Sequence, residues 1–269
     1  MLFRALDRLL TRAPDPARVA WIGQWTYAHC GFHKPGVPEN SLAAFAGAIV
    51  AGYGIECDIQ RSRDGEAMLL HDWELERLTG MTGPIAAHSA EELAQIAYLD
   101  SEHKIARLSD LLELVAGQVP VLIEIKSHAR YNVAKTCRAG RTALEGYPGP
   151  YAVMSFDPRV ARWFRAHTPR TRVGLVVKET ADGSTPHSWQ RHLAFWTARP
   201  DFVAYDIRAL PNRFASDLRA RGFPLPSWTV DTPHKLERAL EYADAPIAES
   251  NGFPPAELPC WPSFSADCS

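Results

Sequence analysis

Three acidic residues in two short, otherwise apolar runs carry the first chemical signal. In GIECDIQ, beginning at Gly54, side chains alternate so that Ile55, Cys57 and Ile59 share one face and Glu56, Asp58 and Gln60 the other. In VPVLIEIKS, beginning at Val119, the apolar set Val121, Ile123 and Ile125 opposes Leu122, Glu124 and Lys126. Strands covered on both faces should be apolar throughout, so these charges call for an explanation. Carboxylates gathered in a low-dielectric interior repel one another and lose their hydration, which requires a cation among them. Oxygen donors without Cys or His favour one hard divalent cation, Mg²⁺ or Ca²⁺, over Zn²⁺. Three carboxylates, one dication and Lys126 sum to neutrality, and that arrangement can accept an anion through the cation and the ammonium.

Two histidines extend the set. His29 closes the run WTYAHCG and His71 closes EAMLLHD, both near the end of a strand-like segment. Imidazoles titrate near neutrality, so a pair of them can supply a general base and a general acid across one reacting bond. Either histidine alone reads equally well as a half-buried structural side chain; beside Glu56, Asp58, Glu124 and Lys126 the catalytic reading is the stronger.

The elements that must position these groups follow from periodicity. Eight short β-rich runs alternate with segments of helical period: WTYAHCG, GIECDIQ, VPVLIEIKS, YAVMSF, RVGLVVK, FVAYDIR, PLPSWTVD and APIAES. Cap-like residues open the intervening segments, at Asn40-Ser41, Ser109-Asp110, Asp157-Pro158 and Asp231-Thr232-Pro233. Eight repeats in 269 residues predict an α/β chain folded as one (β/α)₈ TIM barrel spanning 1–269, since such barrels need about 250 residues. Asp64-Gly65 predicts a hairpin after the second run, and 66–107 reads as that hairpin plus a small insertion. Residues 1–24 read as a capping helix and lead-in, and 254–269, with several prolines, as an irregular tail.

Composition excludes other classes. Hydrophobic residues at 46% and charged residues at 22% describe a folded globular chain rather than a disordered or collagen-like one. Lys+Arg 29 against Asp+Glu 31 leave a formal charge of -2, with no global field for nucleic acid. Cys30, Cys57, Cys137, Cys260 and Cys268 show no CxxC spacing and read as free thiols in a reducing, cytoplasmic setting. No apolar run approaches the ~20 residues of a membrane-spanning helix. The N-terminal segment MLFRALDRLLTRAPDP reads as an amphipathic helix, with Leu2, Ala5, Leu6, Leu9 and Leu10 on one side and Arg4, Arg8 and Arg12 on the other. Such a helix caps the fold or makes weak peripheral contact with a membrane surface.

The stretch AHCGFHKPGVPENSLAAFAGAIVAGYGIECDIQRSRDGEAMLLHDWELERLTG, with LIEIKS, VMSF and SWTVD beyond it, resembles the glycerophosphodiester phosphodiesterase family. It parallels the family's His-Arg-Gly, Pro-Glu-Asn, Glu-x-Asp and His-Asp landmarks over the whole chain after about Trp25. The resemblance implies metal-dependent hydrolysis of a small phosphodiester to an alcohol and a glycerol phosphate. It implies Glu56, Asp58 and Glu124 as metal ligands and His29 and His71 as the acid/base pair. Lys126 would face the phosphate, Glu39 brace the first loop, Trp228 line the substrate channel and Asp72 orient an imidazole. Glu39 also reads as a first-turn helix carboxylate and Trp228 as a core aromatic; Ser155 and Asp231 read as caps. One departure stands out: Cys30 occupies the place of the family's arginine and removes a bidentate phosphate donor. His33, Lys34 or Arg61 would then supply the missing charge. The alternatives are a lysophospholipase D-type activity on lysophospholipids and a catalytically weakened phosphodiester-binding barrel. The last strand, IAESNGFP, differs from the family's usual Thr-Asp pair.

Overall fold

A computed structural model describes residues 2–128, 132–180 and 183–255. In chain order its strands are β1 (Tyr27–Ala28), β2 (Gly54–Arg61), β3 (Ala67–Leu69), β4 (Val121–Ile125), β5 (Tyr151–Ser155), β6 (Arg172–Val177), β7 (Phe202–Asp206), β8 (Pro226–Val230) and β9 (Ala245–Ala248). All except β3 are parallel, and the sheet closes because β1 pairs with both β9 and β2. The helices are α1 (Leu2–Leu10), α2 (Pro16–Val19), α3 (Leu42–Val50), α4 (Glu76–Thr79), α5 (Ala90–Leu93), α6 (Leu108–Val115), α7 (Val133–Ala143), α8 (Pro158–His167), α9 (Ser188–Ala198), α10 (Arg213–Ala220) and α11 (Pro233–Tyr242). The fold is the expected (β/α)₈ barrel, and each of the eight runs marked in the sequence supplies one barrel strand.

Alternation along the strands sorts two cores. Ile55, Cys57, Ile59, Val121, Ile123 and Ile125 pack outward under the helices. Leu122, Ala152, Met154, Val176, Phe202 and Ile247 fill the barrel, which Val19 and Ile22 plug at the end opposite the site. The hairpin forms as expected, with Gln60 opposite Met68 and Arg61 opposite Ala67. The insertion that follows has its own small core of Leu70, Leu75, Ile85, Leu93, Ile96, Tyr98 and Ile105.

Helix starts agree with the cap residues at Ser41, Asp157 and Thr232, whose side chains accept from Ala44, Arg159 and Lys235 N–H groups. Helix α6 begins earlier than Ser109-Asp110 suggests. Its first residue is Leu108, and the Asp110 carboxylate accepts from the Arg107 amide at 2.9 Å. Ser155 and Asp231 do not cap. The Ser155 hydroxyl donates to the Ile125 carbonyl at 2.7 Å, and Asp231 pairs with Lys235 at 2.7 Å, because each lies one or two residues before the true cap.

Helix α1 inverts the expected polarity. Its inward contact is Asp7, only 2% exposed, whose Oδ1 accepts from His192 Nδ1 at 2.9 Å and Trp196 Nε1 at 2.7 Å on α9. Phe3 stacks on His192, and Arg4 and Arg8 reach Asp217 on α10. Leu9 is left 77% exposed. The periodicity located the amphipathic faces, but a buried carboxylate with two donors outbids a leucine stripe for the contact. Among the described residues no helix is long and apolar enough to cross a membrane. The expected tail beyond residue 255, with Cys260 and Cys268, lies outside the described residues.

Asp7→Ala should destabilise the protein by about 3 kcal/mol, since it leaves two buried donors unpaired. In a chain of this size that lowers the melting temperature by roughly 6–12 °C. Leu9→Ala should stay within about 0.5 kcal/mol of the parent. Thermal unfolding of both variants checks this; equal effects would show that the helix is held by its leucines after all.

Candidate active site

Strand register brings the carboxylates together. Asp58 of β2 lies directly across from Glu124 of β4, and Glu56 sits one inward position below Asp58. The three are 1%, 7% and 2% exposed respectively, and one oxygen of each lies within 4.8 Å of the others. Lys126 Nζ bridges Asp58 Oδ1 and Glu124 Oε1, both at 2.9 Å. Burial and two carboxylates act on this lysine in opposite senses; the carboxylates win and hold it protonated. Burial would raise Asp58, but Lys126 keeps it well below the usual carboxylate range. Glu56 has no lysine, and burial together with the Asp58 charge pushes it up to about 8. One lysine therefore keeps Asp58 ionised and leaves Glu124 and Glu56, both pushed upward by burial, in need of further positive charge. The donor set, all oxygen and all buried, fits a hard dication.

The loop after β1 wraps this cluster. Cys30 adopts φ +51°, its amide donates to Glu56 Oε2 at 3.1 Å, and its thiol donates to Asp58 Oδ2 at 3.2 Å. Asn40 donates from Nδ2 to the same Asp58 oxygen and accepts the Asp58 amide on Oδ1, each at 3.1 Å. In the sequence Asn40 read as part of a helix start and of the Pro-Glu-Asn landmark, with no contact assigned to it. Its role as a clamp on Asp58 depends on a loop closing back over the barrel.

Each histidine has Nδ1 held by a carboxylate. His29 meets Glu249 Oε2 at 2.6 Å, and His33 approaches the same oxygen at 3.5 Å. His71 meets Asp72 Oδ1 at 2.8 Å. An ionised carboxylate only accepts, so Nδ1 carries the donated hydrogen and Nε2 of each ring remains as the nitrogen able to exchange a proton with a ligand. Burial would lower His29, yet the Glu249 bond and the charges of Glu56, Glu249 and Asp58 raise it from 6.5 to about 9. Glu249 follows β9, in the segment whose contacts the sequence left unassigned. Asp72 in turn is bound by Arg77, which donates to Glu39 at 2.7 and 3.1 Å. Glu39 thus braces the first loop against the insertion, through Arg77. Gln60 donates to the Leu70 carbonyl at 3.1 Å and to that of Asp72, pinning the turn that carries His71.

These groups open on one cavity of about 250 Å³, lined among others by His29, Glu56, Asp58, His71, Glu124, Lys126, Lys178 and Trp228. A second cavity of about 550 Å³ adjoins it through His71, Glu124, Lys126 and Phe156. Trp228 packs edge-on against Phe156 at 5.3 Å, and its Nε1 has no hydrogen-bond acceptor among the described residues. Neither His33, Lys34 nor Arg61 lines the smaller cavity. His33 turns to Glu249, Lys34 lines a separate cavity with Glu39, and Arg61 donates to the Ser62 carbonyl. The further cation there is Lys178, at the end of β6, which alternation could not separate from an ordinary strand terminus.

The model of the Glycerophosphoryl diester phosphodiesterase family matches residues 29–248. The chain belongs to that family. A relative from Mycobacterium tuberculosis named "Probable glycerophosphodiester phosphodiesterase 2" is 29% identical over 81% of this chain and 84% of its own. A glycerophosphodiester phosphodiesterase of Caldanaerobacter subterraneus subsp. tengcongensis is 26% identical over 80% of this chain and 88% of its own. Among solved structures, a phosphodiesterase of Oleispira antarctica in complex with the product sn-glycerol-3-phosphate has a TM-score of 0.72 at 22% identity, covering 83% of this chain and 92% of that one. The likeness in structure shows the shared fold. Glu249 lies one residue past the matched segment of this phosphodiesterase family member.

The His29–Glu249 pair makes a signed prediction. A histidine raised to about 9 contributes stability that is fully present below 6.5 and is lost as pH rises through 9. Glu249, depressed below its ordinary 4.5 chiefly by its bond to His29, contributes above that value and loses its part as pH falls through its lowered pKa. In chelator, the stability gap between the parent and Glu249→Gln should be widest between pH 4.5 and 6.5 and should narrow toward pH 9. Urea titrations across that range measure it; a gap independent of pH would show that the pair is not ionic.

Proposed function

We propose that the protein hydrolyses glycerophosphodiesters to an alcohol and a glycerol phosphate. The observation that carries this reading is the convergence of three buried carboxylates, a lysine and two carboxylate-held histidines on one small cavity. Glu56, Asp58 and Glu124 would hold a divalent cation, Mg²⁺ or Ca²⁺, which when bound supplies Lewis-acid stabilisation of charge on the phosphoryl oxygens. Lys126 adds a fixed ammonium on the same side, at Asp58 and Glu124. Trp228 offers an N–H to a substrate oxygen and an apolar wall.

His29, oriented through Nδ1 by Glu249, would give its Nε2 proton to the leaving alkoxide. His71, oriented by Asp72, takes a proton at Nε2 from the attacking hydroxyl, whether of water or of the glycerol next to the phosphate. Cys30 replaces an arginine of the family, and the lost charge-assisted bond costs about 1.5–3 kcal/mol if felt fully in the transition state. That slows turnover by one to two orders of magnitude and leaves the acid, base and cation sites in place. The described cysteines, Cys30, Cys57 and Cys137, are buried free thiols, which supports a reducing, cytoplasmic setting. A second reading, lysophospholipase D-type hydrolysis, draws support from the adjoining 550 Å³ cavity with Trp73 and Phe156 on its wall.

Turnover on a panel of glycerophosphodiesters with Mg²⁺, Ca²⁺ or chelator is the test. His29→Ala and Glu124→Ala should each lower kcat by at least about 10²-fold, the usual contribution of acid–base catalysis. Chelation should abolish activity. Full activity in either variant would refute the assignments, and faster turnover of micellar lysophospholipid than of soluble glycerophosphocholine would favour the second reading. No turnover on any substrate, before or after Cys30→Arg, would leave a binding barrel.

A further inference from the structure

We infer that α1 and an arginine-lined cavity at its C-terminal end dock the protein on an anionic phospholipid surface. The cavity, of about 660 Å³, lies at the opposite end of the barrel from the catalytic groups. It is lined by Arg12, Arg18, Arg165 and Arg199 against Asp15 and Asp201 only, with Leu9 and Leu10 on its rim. Arg18 donates to the Pro169 carbonyl and Arg165 stands 3.9 Å from Asp201. The guanidinium groups of Arg12 and Arg199 have no partner among the described residues. Four guanidinium groups converging with two carboxylates leave an excess of positive charge that suits phosphate headgroups.

The apolar component is fixed by the way α1 is anchored. Asp7 holds the helix to α9 and Arg4 and Arg8 hold it to Asp217 on α10, so the leucine flank cannot turn inward. Of the nine large apolar side chains exposed among the described residues, Phe3, Leu9 and Leu10 lie on α1, and Trp189 and Leu193 on the helix beneath it. An interfacial helix needs this combination, with leucines and tryptophan for the acyl boundary and arginines for the headgroups.

Charge distribution names the occupant. Residues 1–20 and 157–221, the segments that include α1, α2, α8, α9 and α10 together with strands β6 and β7, carry sixteen Lys and Arg against eight Asp and Glu. The remainder carries thirteen against twenty-three. Within a chain of nearly neutral net charge, the segments on the α1 side, which carry the exposed Leu9, Leu10 and Leu193, are therefore net basic and the remainder is net acidic. Facing an anionic bilayer, that side is attracted while the acidic side is turned away.

Sedimentation of the full chain with phosphatidylcholine vesicles, with and without phosphatidylglycerol, tests the inference. Binding should require phosphatidylglycerol and weaken with salt. The double variant Arg12→Glu, Arg199→Glu should bind at least about tenfold more weakly, and Leu9→Asp should also lose affinity. Hydrolysis of a soluble glycerophosphodiester should be unchanged in both variants, which separates this surface from the active-site reading. Absence of binding to phosphatidylglycerol vesicles, full binding by either variant, or tighter binding to duplex DNA than to vesicles would overturn the proposal.

Discussion

Like charges crowded in a low-dielectric interior are the constraint around which this barrel is organised. Glu56, Asp58 and Glu124 occupy positions that a purely structural barrel would fill with leucine or valine. Isolated carboxylates there would give up their charge rather than remain ionised. Lys126 solves the problem for Asp58, offsets it only in part for Glu124 and leaves it unsolved for Glu56. The surrounding backbone contributes the rest: the Cys30 amide aimed at Glu56 and the Asn40 side chain clamped on Asp58 both come from the loop after β1. A positive φ at Cys30 and at Asn40 is the conformation that lets this short loop turn its donors inward. Strain accepted there is repaid in electrostatics, which is the common pattern of a functional site.

The two histidines illustrate how a barrel recruits groups from outside its strands. His29 sits directly after β1 and finds its carboxylate partner directly after β9, the strand beside β1 in the closed sheet. His71 comes from the hairpin excursion, whose turn is held by Gln60 and whose flank is supported by the small core of the insertion. The chain Glu39–Arg77–Asp72–His71 then ties the first loop to that insertion. Arg77 is half exposed, so its ion pairs add little to global stability and more to the orientation of what they hold.

Polar anchoring of α1 follows the same logic at the other end of the molecule. A buried carboxylate that accepts from an imidazole and an indole is specific in geometry, whereas a leucine stripe is not. The helix is therefore held in one orientation by a few directional bonds, and its apolar flank remains outside. The proposed membrane-facing surface and the candidate active site thus lie at different ends of a single barrel.

Most of the architecture was legible in one dimension. Period-two alternation in GIECDIQ and VPVLIEIKS placed Glu56, Asp58 and Glu124 on inward faces, and the eight β-rich runs foretold the closed sheet, because local side-chain periodicity survives folding unchanged. Residue types also pointed to His29 and His71 as proton carriers. What the sequence could not show was pairing between residues far apart along the chain: Glu249 with His29, Arg77 with Glu39, Lys178 as the further cation at the cavity, and Asp7 rather than the leucines as the anchor of α1. These contacts join segments as much as 220 positions apart. The first exists because the sheet closes and brings its first strand against its last, the others because the insertion, a strand end and α1 fold back on the barrel, and no local pattern encodes such distances.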